Sequence, residues 1–308
     1  MSIGSSQQVM SHSRRSFVRA ICVLPAVAEA AASAQASPLP MAPDMRAQLH
    51  LAHEELPAAD RRGRLAIKRS LERMDDLRFE LLSGRLILVN IAAAELIAYE
   101  DGREVLRSRV IVGSGRTRTP QLATFVTSAR TNPPWYVPAS IEPEIRAAGA
   151  VGFRTVNGRL VQPPGPGNPL GPIRIGLLDS DGIFLHGTNS PGLFARRNRT
   201  LSHGCVRVER IRDLTAWMLD VAPLAMQATI RTGRTFELPP PQDVQVALAY
   251  LTAWSDASGQ IVTHADPYGL DAPGARRAYY RRVTRPVIQS PAEVEASEPA
   301  PPPEDDPL

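Results

Sequence analysis

Apolar positions change their period along the chain, and each change predicts a different element. Over residues 47–82, Leu65, Ile67, Leu71, Met74 and Leu77 recur at roughly helical spacing with Arg and Glu between them, which predicts a helical arm. From Leu86 the texture becomes short apolar runs at 86–91 and 95–99, a turn at Asp101-Gly102, and a further run at 105–112. Runs of that length around a Gly turn predict an antiparallel meander. Further strands are expected at 124–128, 173–178, 183–186, 227–232 and 245–253, with Gly165-Pro166-Gly167-Asn168-Pro169 as an ordered loop. A helix is expected over 209–221, burying Ile211, Leu214, Trp217 and Met218 and turning Asp213 and Asp220 outward. The pattern predicts a mainly β domain with one helix packed on it, an N-terminal helical arm and two unstructured ends.

Composition refines this picture at the two ends. Residues 289–308 are mostly Pro, Glu, Ala and Asp, too poor in apolar side chains to pack, so a disordered tail is expected. The segment Ser13-Arg14-Arg15-Ser16-Phe17-Val18-Arg19 resembles a twin-arginine pattern, an apolar stretch follows over 20–34, and Ala34-Gln35-Ala36 supplies small residues for cleavage. Export to the periplasm or cell envelope is therefore expected. The net charge is only +4, Lys68 is the sole lysine and aromatics are 5% of residues, so nucleic acid is excluded as a partner.

Cysteine usage then points to chemistry. Cys22 lies inside the expected signal, which leaves Cys205 as the one thiol of the exported chain. Oxidising compartments normally pair their cysteines, so a solitary one there is either buried and inert or kept for reactivity. Around it the sequence reads Ser202-His203-Gly204-Cys205-Val206-Arg207, with His186 upstream. A thiol attacks carbonyls as thiolate, and an imidazole supplies the base. His203 and Cys205, two apart, share a face if the segment is a strand. Gly204 leaves room for substrate, its N–H and that of Cys205 could serve a tetrahedral oxyanion, and Ser202 could orient an imidazole. A Cys and two His could also be zinc ligands, although a closed site wants four and His264 has no recognisable ligand spacing. The residues alone leave a catalytic cysteine, a buried one and a zinc ligand all open.

The spacing from His186 to Ser202-His203-Gly204-Cys205-Val206-Arg207 resembles the signature of the YkuD-type L,D-transpeptidase catalytic domain. Asn132-Pro133-Pro134-Trp135-Tyr136-Val137-Pro138 and the stretch from Gln162 to Gly171 resemble the larger, YcbB-like branch, and so do Tyr250-Leu251-Thr252-Ala253-Trp254 and Asp266-Pro267-Tyr268-Gly269. The similarity runs from about Ile67 to Asp271. It departs from that branch in lacking a large scaffold ahead of the domain, in a short segment between Pro138 and Gly152, and in Phe184 where the branch carries tyrosine.

The resemblance implies an L,D-transpeptidase-type β-sandwich with a helix packed after the catalytic Cys. Together with the two ends read from composition, it divides the chain into a signal (1–36), a helical arm or linker (37–82), a catalytic domain (83–235), an extension packed on it (236–271) and a disordered tail (272–308). It implies a Cys205 thioester acyl-enzyme with His203 as base and His186 lining the cleft. Gly204 and Ser202 would serve the oxyanion and orientation, and Arg207, Trp135 and Phe184 would contact substrate, while Asn132 would order its own turn. The implied partners are peptidoglycan stem peptides, a tetrapeptide donor and a diamino-acid amine acceptor forming a 3→3 cross-link, with neither metal nor cofactor; an envelope protein partner stays open. An L,D-carboxypeptidase, a transferase to another amine and a non-catalytic wall-binding module are the alternatives.

Overall fold

Strand β1 (Arg85–Asn90) is buried along its whole length because both of its faces are covered. Ile87 and Val89 enter one apolar core, whereas Leu86 and Leu88 enter a second. Two-sided burial produces a continuous apolar run in place of an alternation. The second core lies under helices α1 (Met45–Glu55) and α2 (Arg61–Leu77), whose Leu49, Ile67, Met74 and Leu77 are buried against it. Asp44 and Asp60 cap the two helices by accepting first-turn backbone N–H groups. The expected single arm is thus two helices, parted around Pro57.

This computed structural model describes residues 44–79, 83–149, 151–275 and 280–284. The signal expected over 1–36, with Cys22, and most of the expected tail lie outside the described residues.

The meander continues as β2 (Glu95–Glu100) and β3 (Arg103–Gly113), antiparallel around a turn where Asp101 and Gly102 both take positive φ. Next comes β4 (Gln121–Thr131). A small separate sheet, in the order β5-β7-β6, follows from β5 (Trp135–Tyr136), β6 (Arg154–Val156) and β7 (Arg159–Gln162), with helix α3 (Glu142–Ala147) between β5 and β6.

The chain then returns to the main sheet as β8 (Ile173–Leu177), β9 (Leu185–His186), β10 (Thr200–Ser202) and β11 (Val206–Val208). Helices α4 (Ile211–Met218) and α5 (Pro223–Arg231) come next, then β12 (Glu237–Leu238), β13 (Val244–Ala249), the hairpin of β14 (Ala253–Ser255) with β15 (Ile261–Thr263), and β16 (Tyr280–Arg282). Neighbours run β3-β11-β9-β8-β4-β13-β1-β2, and β2 pairs β3 again, so the sheet closes into a barrel-like sandwich. The fold is mainly β, as its sequence predicts.

Three further expectations differ from the structure. The strand expected over 227–232 is instead the body of α5, which opens on Pro223 at its first position, where a missing N–H costs nothing. Residues 236–271 do more than pack on the domain. They supply β13, which pairs parallel with β1 and antiparallel with β4 in the middle of the sheet. Within the expected tail, Tyr280–Arg282 form β16 and pair with β4 at Gln121–Ala123.

Candidate active site

β10 and β11 pair with the same strand in opposite senses. Ser202 lies parallel to Gly113 of β3, whereas Arg207 and Val208 run antiparallel to Ile111 and Val110. His203, Gly204 and Cys205 must reverse the chain between these pairings, and they do so in a bend with Gly204 at φ +117°. A Cβ at Gly204 would also come within 3.3 Å of Ile183 Cδ1. The bend replaces the expected strand, so strand alternation does not decide where the His203 and Cys205 side chains point.

Backbone contacts fix the bend from below. Ser114 N–H and Thr117 Oγ1 donate to the Ser202 carbonyl at 2.9 and 3.0 Å. Thr119 Oγ1 donates to the Gly204 carbonyl at 2.7 Å and accepts from Gly113 N–H at 2.8 Å. The Tyr268 hydroxyl, from the C-terminal extension, donates to the Gly113 carbonyl at 2.6 Å and accepts from Thr119 N–H at 3.2 Å. Ser202 Oγ donates to the Cys205 carbonyl at 2.6 Å and accepts Gly204 N–H at 3.2 Å. Ser202 therefore braces the backbone around the thiol, not an imidazole, and the Gly204 N–H expected at an oxyanion is already engaged.

Cys205 is half-buried, and its Sγ lies 3.6 Å from the Gly182 carbonyl. Burial pushes its thiol pKa up, while a backbone hydrogen bond from Phe184 and the charges of Arg174 and Arg207 pull it down. His186, on β9, is only 5% exposed. Burial first, and then the Arg207 charge, push its pKa down to about 3, with backbone at Gly187, Leu170 and Pro169 partly opposing. Its Nδ1 meets no well-aligned hydrogen-bond partner. His203 lies exposed in the bend, and its ring makes no hydrogen bond among the described residues.

Sheet register brings a row of residues together beside the thiol. Arg207 of β11 is the cross-strand partner of His186, His186 of Arg174 on β8, and Arg174 of Arg130 on β4. Their sequence neighbours Val206, Leu185, Ile175 and Ala129 are core residues, so the row occupies the opposite, outer face. Phe184 stands between its members, 4.7 Å under the Arg174 guanidinium and 5.4 Å from the His186 ring. Trp135 lies in the small sheet with its ring edge against Phe153 at 6.0 Å. Asn132 does more than order its own turn, because its side-chain amide donates to the Ile230 and Arg234 carbonyls at the end of α5.

Three side chains at the site carried no assigned role in the sequence. Arg174 shows only as the polar position in Ile173-Arg174-Ile175, and its neighbours follow from a register that local pattern does not contain. Thr119 and Tyr268 lie in segments that resemble the family, but their contacts join parts of the chain 149 residues apart.

Residues 84–226 match the family model described as the YkuD L,D-transpeptidase catalytic domain. A curated protein of Haemophilus influenzae named "Putative L,D-transpeptidase" is 31% identical over 217 residues, which cover 60% of this chain and 44% of that protein. "Probable L,D-transpeptidase YcfS" of Escherichia coli is 33% identical over 141 residues, 44% of this chain and 41% of that protein. The chain thus spans less than half the length of either relative. Among solved structures, an L,D-transpeptidase from Mycobacterium smegmatis overlays with a TM-score of 0.32 at 16% identity, over 53% of this chain and 58% of that one. So loose an overlay adds nothing to the assignment, which rests on the sequence matches. The stretch similar to the YkuD L,D-transpeptidase catalytic domain, residues 84–226, includes the bend that presents Cys205.

Proposed function

We propose that the chain is an exported cysteine acyltransferase, an L,D-transpeptidase that makes 3→3 cross-links between peptidoglycan stems. The observation that carries this reading is a half-buried thiol on a braced glycine bend, with Arg174 and Arg207 as the charges that favour its thiolate.

In the proposed reaction His203, unpaired and exposed beside Cys205, takes the thiol proton. Sγ attacks the carbonyl of the diamino acid at the third position of a tetrapeptide stem. The His203 and Cys205 N–H groups serve the oxyanion, since Ser202 holds that of Gly204. The bond to terminal D-Ala breaks, the amine leaves with the proton from His203, and a thioester remains on Cys205. The side-chain amine of a second stem then displaces sulfur, which recovers its proton. His186, neutral throughout the working pH range, lines the cleft as a polar wall and not as a base.

Cys205→Ala should abolish acyl-enzyme with a tetrapeptide stem, read by intact mass, while the melting transition stays cooperative. Turnover in that variant would refute the assignment. Incubation with sacculi and a muropeptide digest should give cross-linked dimers. Trimmed monomers would instead mean that water is the acceptor, and retention on sacculi with unchanged muropeptides would mean a binding module. Export is proposed from Arg14-Arg15 and the apolar stretch after them, and Arg14→Lys with Arg15→Lys should leave uncleaved precursor inside the cell.

A further inference from the structure

The outer face of the barrel beside Cys205 carries more positive charge than the described residues pair with carboxylates. Arg130, Arg174 and Arg207 lie on one cross-strand row with His186 among them. Like charges directly opposite on neighbouring strands repel, so such a row needs an anion. Arg130 has one, because Glu237 accepts hydrogen bonds from it and from Ser128. Although partial burial acts to raise the Glu237 pKa, those bonds and the Arg130 and Arg174 charges hold it below the usual carboxylate range.

Among the described residues Arg174 and Arg207 have no such hydrogen-bonded partner, although the Glu237 charge reaches Arg174. Neither guanidinium makes a hydrogen bond or ion pair among the described residues, although both are half-buried, and Arg207 Nε is fully enclosed without an acceptor. Arginines withdrawn from water are normally paired. Arg174 is also pre-positioned by the Phe184 ring beneath it, which leaves its edge donors free. His186, whose buried Nδ1 has no well-aligned partner among the described residues, is the register neighbour of both arginines. The thiolate balances part of this charge, but burial favours the neutral thiol and leaves the pair unneutralised in the resting state.

We propose that Arg174 and Arg207 form a carboxylate-binding subsite that reads a free carboxylate of the donor stem next to the scissile bond. This rests on the L,D-transpeptidase reading and adds a donor requirement to it. Two carboxylates of a stem have the right chemistry, the terminal one of D-Ala and the one on the side chain of the diamino acid. A planar guanidinium binds either in a bidentate fork, and an amide in its place leaves the arginine unpaired.

The test uses three synthetic tetrapeptide donors: the free acid, its C-terminal amide, and the variant amidated at the diamino-acid side chain. Acyl-enzyme formation is followed by intact mass in the wild type and in Arg174→Gln. The free acid should acylate about tenfold to a hundredfold faster than whichever amide removes the recognised carboxylate, the loss that one charge-assisted hydrogen bond brings. Arg174→Gln slows every donor by withdrawing a charge from the thiolate, but it should slow the free acid further and bring the acid-to-amide ratio close to one. Equal loss for all three donors in Arg174→Gln would overturn the subsite and reduce Arg174 to a thiolate stabiliser.

A second readout needs no turnover. Alkylation of Cys205 by neutral iodoacetamide should be slowed by N-acetyl-D-alanine or by a side-chain carboxylate mimic, but not by the matching amide, and Arg174→Gln should erase the difference. Protection by a carboxylate in a protein that no stem acylates would sink the transpeptidase reading and keep the subsite. Acylation without any acid–amide difference in either assay would do the reverse.

Discussion

Taking the His186 ring out of water disfavours its charged form, and Arg207 across the ladder adds a second reason for it to stay neutral. The unfolded chain binds a proton at this histidine near its ordinary pKa of about 6.5, whereas the folded one holds out to about 3. Between those values the unfolded state carries more protons, so stability falls as pH drops, by up to about 1.4 kcal/mol per pH unit. Urea midpoints between pH 7 and pH 4.5 should therefore decline less steeply in His186→Asn than in the wild type. Parallel declines would show that another group governs the acid limb. For the thiol the signs are reversed. Burial raises the Cys205 pKa and the arginines oppose it, so Arg207→Gln should move the pH midpoint of Cys205 alkylation upward. An unmoved midpoint would leave Arg207 no part in activating sulfur. At this scale the sequence made Cys205, His203, His186 and Arg207 visible, because their chemistry sits in one short motif. Arg174 stayed hidden because its place depends on which strand lies beside which.

The bend that holds Cys205 depends on an element far from it in sequence. Thr119, just after the turn that follows β3, holds the carbonyl of Gly204, and Tyr268 holds both Thr119 and Gly113. Removing one hydroxyl leaves buried backbone groups unsatisfied, at about 1–3 kcal/mol each. Thr119→Val and Tyr268→Phe should each lower stability by that order, and both should slow acylation of Cys205 by the free-acid donor more than they slow its alkylation by a small reagent. Equal slowing, or none, would make the relay a purely structural brace. Gly113 belongs to the same support, since a Cβ there would stand 2.1 Å from the Thr117 carbonyl, and no side chain fits. β1, β2 and β3 were legible because each is a run of apolar residues ending at a turn. α5 was misread because Gln227, Thr229, Ile230 and Thr232 imitate a strand, although Pro223 marks a helix start. The pieces β10 and β11, three residues each, are too short for any period to show, and only their pairing with β3, and for β11 also with β9, makes them strands.

The family match ends at residue 226, but the barrel does not. β13 lies beyond that point and is the strand that joins β4 to β1 in the closed sheet. Val246 and Leu248 enter the barrel core, while Ala247 and Ala249 enter the core under the helical arm. The arm is tied to the same stretch by Arg73, which is 6% exposed, pairs with Asp271 at 2.7 Å and donates to the Tyr250 carbonyl at 3.0 Å. The two cores therefore share β1 and β13, and the arm, the barrel and the extension should melt together. Leu77, fully buried between α2 and the sheet, should cost about 2–5 kcal/mol as Leu77→Ala and lower the single transition of the whole protein. A fragment spanning 44–235 keeps the Cys205 motif but leaves β1 and β4 with unpaired inner edges and two opened cores. It should show no cooperative melt and no acylation, whereas 44–284 should show both. A cooperative transition in the shorter fragment would mean that β13 covers a domain already complete without it.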